Sequence, residues 1–240
     1  MLSGFIRRTG QGICALRASV GRATTEPERA AYLVAADINT VSALLGWTPL
    51  RKITKPVLMP LLAGRVCRST APDRAVGLVG LAGGWAGDLA LMKPGNIPAG
   101  AAGFAINHLA YAYLLANRGA RPSAARVAIR AVPLTVAAVL AARKHPRLVP
   151  VVLGYGGLLA TTSILADDPG LIDPDQPATY GLGHGGNLFL VSDAVLISRE
   201  TLLASGTTAA RLADAVVMGT YTVAQLLLIH GLFHQENLSP

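Results

Sequence analysis

The sequence predicts an all-α fold, a polytopic transmembrane bundle of about eight helices, and three observations predict it. Hydrophobic residues fill 52% of the 240 positions and charged residues only 14%, with a mean hydropathy of +0.46. A soluble domain carries about 25% charged residues, so this chain has too few to clothe a water-facing surface. Long apolar stretches recur along almost the whole chain, and the charges crowd into the gaps between them, which is the pattern of a membrane protein. The same composition excludes disorder.

The elements follow in order. Residues 1–28 form a basic N-terminal tail with Arg7, Arg8, Arg17 and Arg22 among scattered apolar residues. It holds no run long enough to span and no signal-peptide core, so an interfacial or disordered cytoplasmic tail is expected. A transmembrane domain over 29–233 follows, with apolar segments near 29–46, 54–67, 73–92, 100–117, 123–142, 147–166, 183–200 and 210–233. Several are shorter than the ~20 residues of a straight span. Pro60 and Pro133 fall inside the second and fifth segments, where membrane helices tolerate them. The longest connection, 167–179, carries Asp167, Asp168, Asp173 and Asp175, and a short tail closes the chain at 234–240.

The net charge of +8 would suggest nucleic acid in a soluble protein. Here the basic residues are spread over short gaps and aromatics are 5% of the chain, so membrane lipid headgroups are the expected partners and nucleic acid is not. With eight spans both termini share a side. That side collects 12 Lys and Arg against 9 on the other, and the positive-inside rule then puts the termini in the cytoplasm. Arginine outnumbers lysine 17 to 4, a composition that suggests a GC-rich bacterial genome and hence a plasma membrane. Oligomeric state is not legible.

Charged residues inside spans cost about 2.5–3.5 kcal/mol each on insertion scales, so each needs a reason. Lys55 opens the second segment, Asp88 lies late in the third, His108 sits in the fourth and Asp193 in the seventh. Tyr221 and Gln225, four apart, share one face of the eighth. In the third segment Gly80, Gly84 and Asp88 form one stripe. Small residues at that spacing let a neighbouring helix approach, so Asp88 points into the bundle. Gly186, Phe189 and Asp193 make a similar face in the seventh. The third and seventh segments run the same way, which puts both aspartates at similar depth, toward the side where Lys55 begins the second. One cavity is expected to collect all six polar groups. Two carboxylates and a cation are what acid–base chemistry needs; a purely structural polar network is the alternative. Asp37 and Asp214 are weaker candidates.

Other signals are poor. Gly181-Leu182-Gly183-His184-Gly185-Gly186 looks like a phosphate loop, but no strand precedes it; a loop before a helix start, holding a lipid phosphate, is the remaining reading. The five histidines lack ligand spacing, and Cys14 and Cys67 offer neither a disulfide framework nor a metal site.

The ordered set of motifs resembles the YhhN-type lysoplasmalogenase family of eight-helix membrane proteins. The resemblance rests on Lys55-Pro56, Gly87-Asp88, Gly103-Phe104 followed by His108-Leu109-Ala110-Tyr111, Phe189 through Ser192-Asp193, and Tyr221 with Gln225, over roughly residues 30–233. The tail before residue 29 is longer than the family leads one to expect. The resemblance implies hydrolysis of the vinyl ether bond of a lysophospholipid substrate, giving a fatty aldehyde and a glycerophospho-base. It makes Asp88 and Asp193 the catalytic residues, with Lys55, His108, Tyr111, Ser192, Tyr221 and Gln225 in supporting or substrate-binding roles. No metal and no organic cofactor are required. Asp193 lies farther from its helix end and is expected to be the more desolvated of the two and the acid, with Asp88 as the charged partner of Lys55. A proton-coupled transporter built on the same aspartates is the alternative.

Overall fold

The structure is a computed structural model that describes residues 2–93 and 95–234. The described residues form nine α-helices: α1 Leu2–Gly21, α2 Pro27–Leu45, α3 Thr48–Cys67, α4 Arg74–Leu91, α5 Ile97–Asn117, α6 Ala124–Lys144, α7 Val149–Ala166, α8 Gly181–Leu202 and α9 Thr208–Leu232. No strand occurs among them. Helices α2 to α9 are the eight expected segments. The largest shift is at α3, which starts at Thr48 with proline in its first turn and takes in Arg51 and Lys52, charges that an apolar-run criterion leaves out. The tail expected at 234–240 lies, beyond His234, outside the described residues.

Three stretches, Ala124–Lys144, Pro146–Ala166 and Thr208–Leu232, are long and apolar enough to cross a membrane, and they mark the chain as a membrane protein. The count of eight spans is therefore approximate, since the other helices dilute their apolar residues with glycine and inward polar groups. Exposed aliphatic side chains recur at helical spacing on outward faces, as Val34, Ile38, Val41 and Leu45 of α2 and Ile129, Val132, Val136 and Val139 of α6. Apolar surface of that extent suits lipid rather than water.

Helix packing closes a ring in the order α2, α3, α4, α5, α7, α8, α9 and back to α2, with α6 outside against α7 and α8. Two ends result. The proximal end gathers the start of α2 and the end of α9; the distal end gathers the 45–48, 91–97, 144–149 and 202–208 connections. The residues expected as a loose or interfacial tail form α1, which lies over the proximal end. Its Ala15 meets Gly181, Ser19 accepts a 2.6 Å bond from Arg29, and His184 Nε2 donates to the Arg8 carbonyl.

Two local features position the site. The glycine stripe of α4 does face a neighbour: α5 approaches so closely that a Cβ on Gly103 would lie 2.4 Å from the Gly87 nitrogen. In α3, Pro60 has no N–H to give the Pro56 carbonyl. Trp85 of α4 supplies the missing donor at 2.8 Å, which draws α3 against α4 beside Lys55. The proximal end is tied by arginines, with Arg118 on Asp73 and the Leu232 carbonyl and Arg65 on the Phe233 carbonyl, so the last carbonyls of α9 find donors.

Candidate active site

The six polar groups do not share one cavity; they fall into separate clusters around an aromatic layer. The first is closed. Asp88 is 1% exposed; Lys55 Nζ lies 3.3 Å from its Oδ1, and Tyr221 donates a 2.7 Å hydrogen bond to its Oδ2. Met59 Sδ is the other neighbour of the Tyr221 hydroxyl, at 3.6 Å. Helices α3, α4 and α9 thus each contribute one member. A buried ion pair with its remaining lone pairs bonded is a stable arrangement only as a set.

The second cluster is a hydrogen-bond chain across α4, α5 and α9. Tyr111 donates to Gln225 Oε1 at 2.5 Å, Gln225 Nε2 to Asn107 Oδ1 at 3.2 Å, and Asn107 Nδ2 to the Gly80 carbonyl at 2.8 Å. All are buried, and each bond here answers another, as buried polar networks require. His108 stands apart, with Nδ1 at 3.3 Å from Thr162 Oγ1 and its ring edge-on to Phe189 at 4.4 Å. Ser192 follows its own direction and donates to the Val217 carbonyl of α9.

The third cluster is open. Asp193 is half-buried on α8 and accepts a hydrogen bond from Tyr155 of α7. Both line a cleft of about 110 Å³, smaller than the roughly 300–1,000 Å³ of a pocket that encloses a whole ligand. Its walls are apolar, from Phe104 of α5, Leu134 of α6 and Leu159 of α7 to Leu190 and Ile197 of α8, with Glu200 the remaining acid. The cleft exists because the distal half of α7 stands off the bundle: every buried residue of that helix lies at Leu159 or beyond. Between this cleft and Asp88 stand Phe104, Phe189 and Tyr221, with ring centroids 5.4 to 6.1 Å apart.

One expectation is corrected here. Protein encloses Asp88 more closely than Asp193, but Asp193 faces apolar cleft walls and is desolvated as well. The glycine-rich stretch at 181–186 is no loop. It is the first turns of α8, covered by α1 and packed on Asp167, Ser163 and Leu228, so no ligand phosphate has room there. Of the weaker candidates, Asp37 is exposed and Asp214 is paired with Arg51 and Arg199 at the distal end.

Sequence reasoning missed Tyr155 and Arg130. Tyr155 is the one hydrogen-bonding side chain in the first half of an apolar, glycine-rich helix, and that isolation was the available signal. Arg130 is an arginine seven positions into a long apolar helix; it is buried and binds Asp167 at 2.7 Å and Asn187 at 2.6 Å.

The arrangement offers one carboxyl, Asp193, that can exchange a proton with a bound apolar molecule, and one, Asp88, locked in an ion pair behind it. Neither the curated proteins nor the solved structures include a match to this chain. The model of the YhhN family matches residues 50–232, well over half the chain and every cluster just described. The chain belongs to the YhhN family.

Proposed function

We propose that this protein is an intramembrane hydrolase that cleaves the vinyl ether bond of lysoplasmalogen-type lysophospholipids. The observation that carries the reading is Asp193, a hydrogen-bonded carboxyl set inside a largely apolar cleft among lipid-facing helices. A segment of an aliphatic chain suits such walls, with the rest in the surrounding lipid, and an acid there meets the chemistry of the bond.

A vinyl ether is protonated on its β-carbon. The Asp193 carboxyl gives that proton, the C=C electron pair forms the new C–H bond, and positive charge is shared by the α-carbon and the ether oxygen. Water adds to the α-carbon and loses a proton to the Asp193 carboxylate. The resulting hemiacetal breaks its C–O bond, its hydroxyl proton passing to the leaving oxygen, to give a fatty aldehyde and a glycerophospho-base. Tyr155 holds the carboxyl toward the cleft. Asp88 acts at one remove: with Lys55 and Tyr221 it fixes the aromatic layer that forms the back wall, and its negative charge lies on the side of the developing cation. General acid–base catalysis of this kind contributes about 10²–10⁴-fold. The reading places the enzyme in a plasma membrane, bacterial by its arginine-rich composition, with the proximal end in the cytoplasm and the cleft facing the outer leaflet.

The test is aldehyde release from a 1-O-alkenyl lysophospholipid by purified protein in detergent. Release is the expected result. Its absence overturns the hydrolase reading, and release also separates it from transport, which has no meaning without a closed membrane.

A further inference from the structure

The cleft holds a second acid that the chemistry above does not use. Glu200 lines the same cleft as Asp193, seven residues later on α8. Seven residues are two helical turns, so both carboxyls project from one face, about 10 Å apart along the axis. Asp193 lies inside; Glu200 is near the end of α8 at the distal rim, with its side chain 36% exposed. One oxygen, Oε1, accepts a 2.7 Å bond from Arg199. That guanidinium also binds Asp214 at 3.0 Å, and Asp214 in turn meets Arg51 at 3.5 Å. Arg51 and Arg199 thus pair with Asp214 and Glu200, and the Oε2 of Glu200 has no bond from any described residue.

We propose that Glu200 is the headgroup-selecting residue of the cleft and takes the ammonium of a zwitterionic headgroup. The inference rests on the lysophospholipid reading above. With the vinyl ether at Asp193, the ether oxygen of a glycerophosphoethanolamine lies nine bonds from the amine nitrogen, on the order of 10 Å at ordinary bond lengths. The headgroup therefore spans the distance between the two carboxyls. The aliphatic chain runs the other way, over Leu190 and Leu159 toward mid-membrane. Arg199 fixes one oxygen of Glu200 at the rim, which leaves the other for the ammonium.

The experiment compares two 1-O-alkenyl lysophospholipids that differ only in phosphoethanolamine or phosphoglycerol headgroup. Wild type is expected to favour the ethanolamine lipid in kcat/KM by about fivefold or more, the worth of a partly exposed carboxylate–ammonium contact. Glu200→Gln should bring the ratio within about twofold through KM, with kcat held, and Glu200→Asp should keep much of it. An equal ratio in wild type, or an unchanged one in the Gln variant, overturns the proposal. Should the Gln variant not fold, the Asp variant and the wild-type ratio decide. The same comparison is run as binding of the non-cleavable 1-O-alkyl analogues. If wild type cleaves neither lipid, the hydrolase reading falls, and the binding ratio alone confirms or overturns the ammonium site.

Discussion

Asp88 and Asp193 are the same side chain in similar sequence surroundings, each on a glycine-bearing helix face, and the fold treats them oppositely. Asp88 is sealed by α3 and α9, with Lys55 and Tyr221 on its two oxygens. Asp193 has one hydrogen-bond partner among the described residues, Tyr155, and a face open to the cleft. The closed carboxylate is bound into the architecture, where losing one partner strands a charge. The open one is the group that the proposed chemistry uses. A buried acid in a membrane helix thus divides into two kinds, and the number of neighbours that close over it tells them apart.

Substitutions can break or sharpen that contrast. The largest effect on turnover is expected from Asp193→Asn, which removes the acid. Aldehyde release should fall by about 10²–10⁴-fold while the detergent profile stays monodisperse and the melting temperature holds. A folded variant keeping more than about a tenth of wild-type turnover would take Asp193 out of the mechanism, because that loss is below the general acid–base range.

Asp88→Asn should show the reverse balance. Turnover falls as well, but the signature is stability: breaking a buried ion pair costs about 3–5 kcal/mol, read as a lowered thermal midpoint in detergent. Lys55→Met should do the same from the other side. The double change Lys55→Met with Asp88→Leu removes both charges and should recover most of the loss. A double variant as unstable as either single one would show that the pair is not the unit.

The two tyrosines carry the comparison at smaller scale. Tyr155→Phe deletes one bond to a carboxyl, an interaction worth roughly 1.5–3 kcal/mol. Turnover should drop by about tenfold at constant KM, with little change in melting. Tyr221→Phe deletes the corresponding bond in the closed cluster and should lower the melting temperature instead. Equal behaviour of the two variants would erase the distinction.

The smallest effect is expected at the proximal end, far from both acids. Partial burial alone would raise the Asp168 carboxyl, but the N–H groups of Arg121 and Gly170, together with Arg126, hold it below the usual carboxylate range. A carboxyl lowered by folding contributes stability above its unfolded value, near pH 3.9, and loses it as the pH falls through the lower folded one. Melting curves should show an acid-sensitive contribution of at most about 1 kcal/mol that Asp168→Asn abolishes. An identical acid profile in the variant would assign the sensitivity elsewhere.

What the sequence determined by itself is everything local. Hydrophobic density and the placement of charges in gaps mark out α2 to α9, because burial in lipid demands continuous apolar helices. The four-residue spacing of Gly80, Gly84 and Asp88 specifies an inward face, because one turn of helix returns a side chain to the same side. Lys55 beside Asp88 was legible for the same reason, from depth and helix direction. The helix over residues 2–21 was not, since its apolar residues are too few for a span and only its docking against α8 and α2 makes a face of them. The separation of the two aspartates, the open cleft and the part played by Tyr155 were decided by the tertiary structure alone. They depend on α6 leaving the ring and on the distal half of α7 standing away from its neighbours. Such spacing between helices is set by how side chains from distant segments fill or fail to fill the space between them, and no periodicity along one chain segment encodes it.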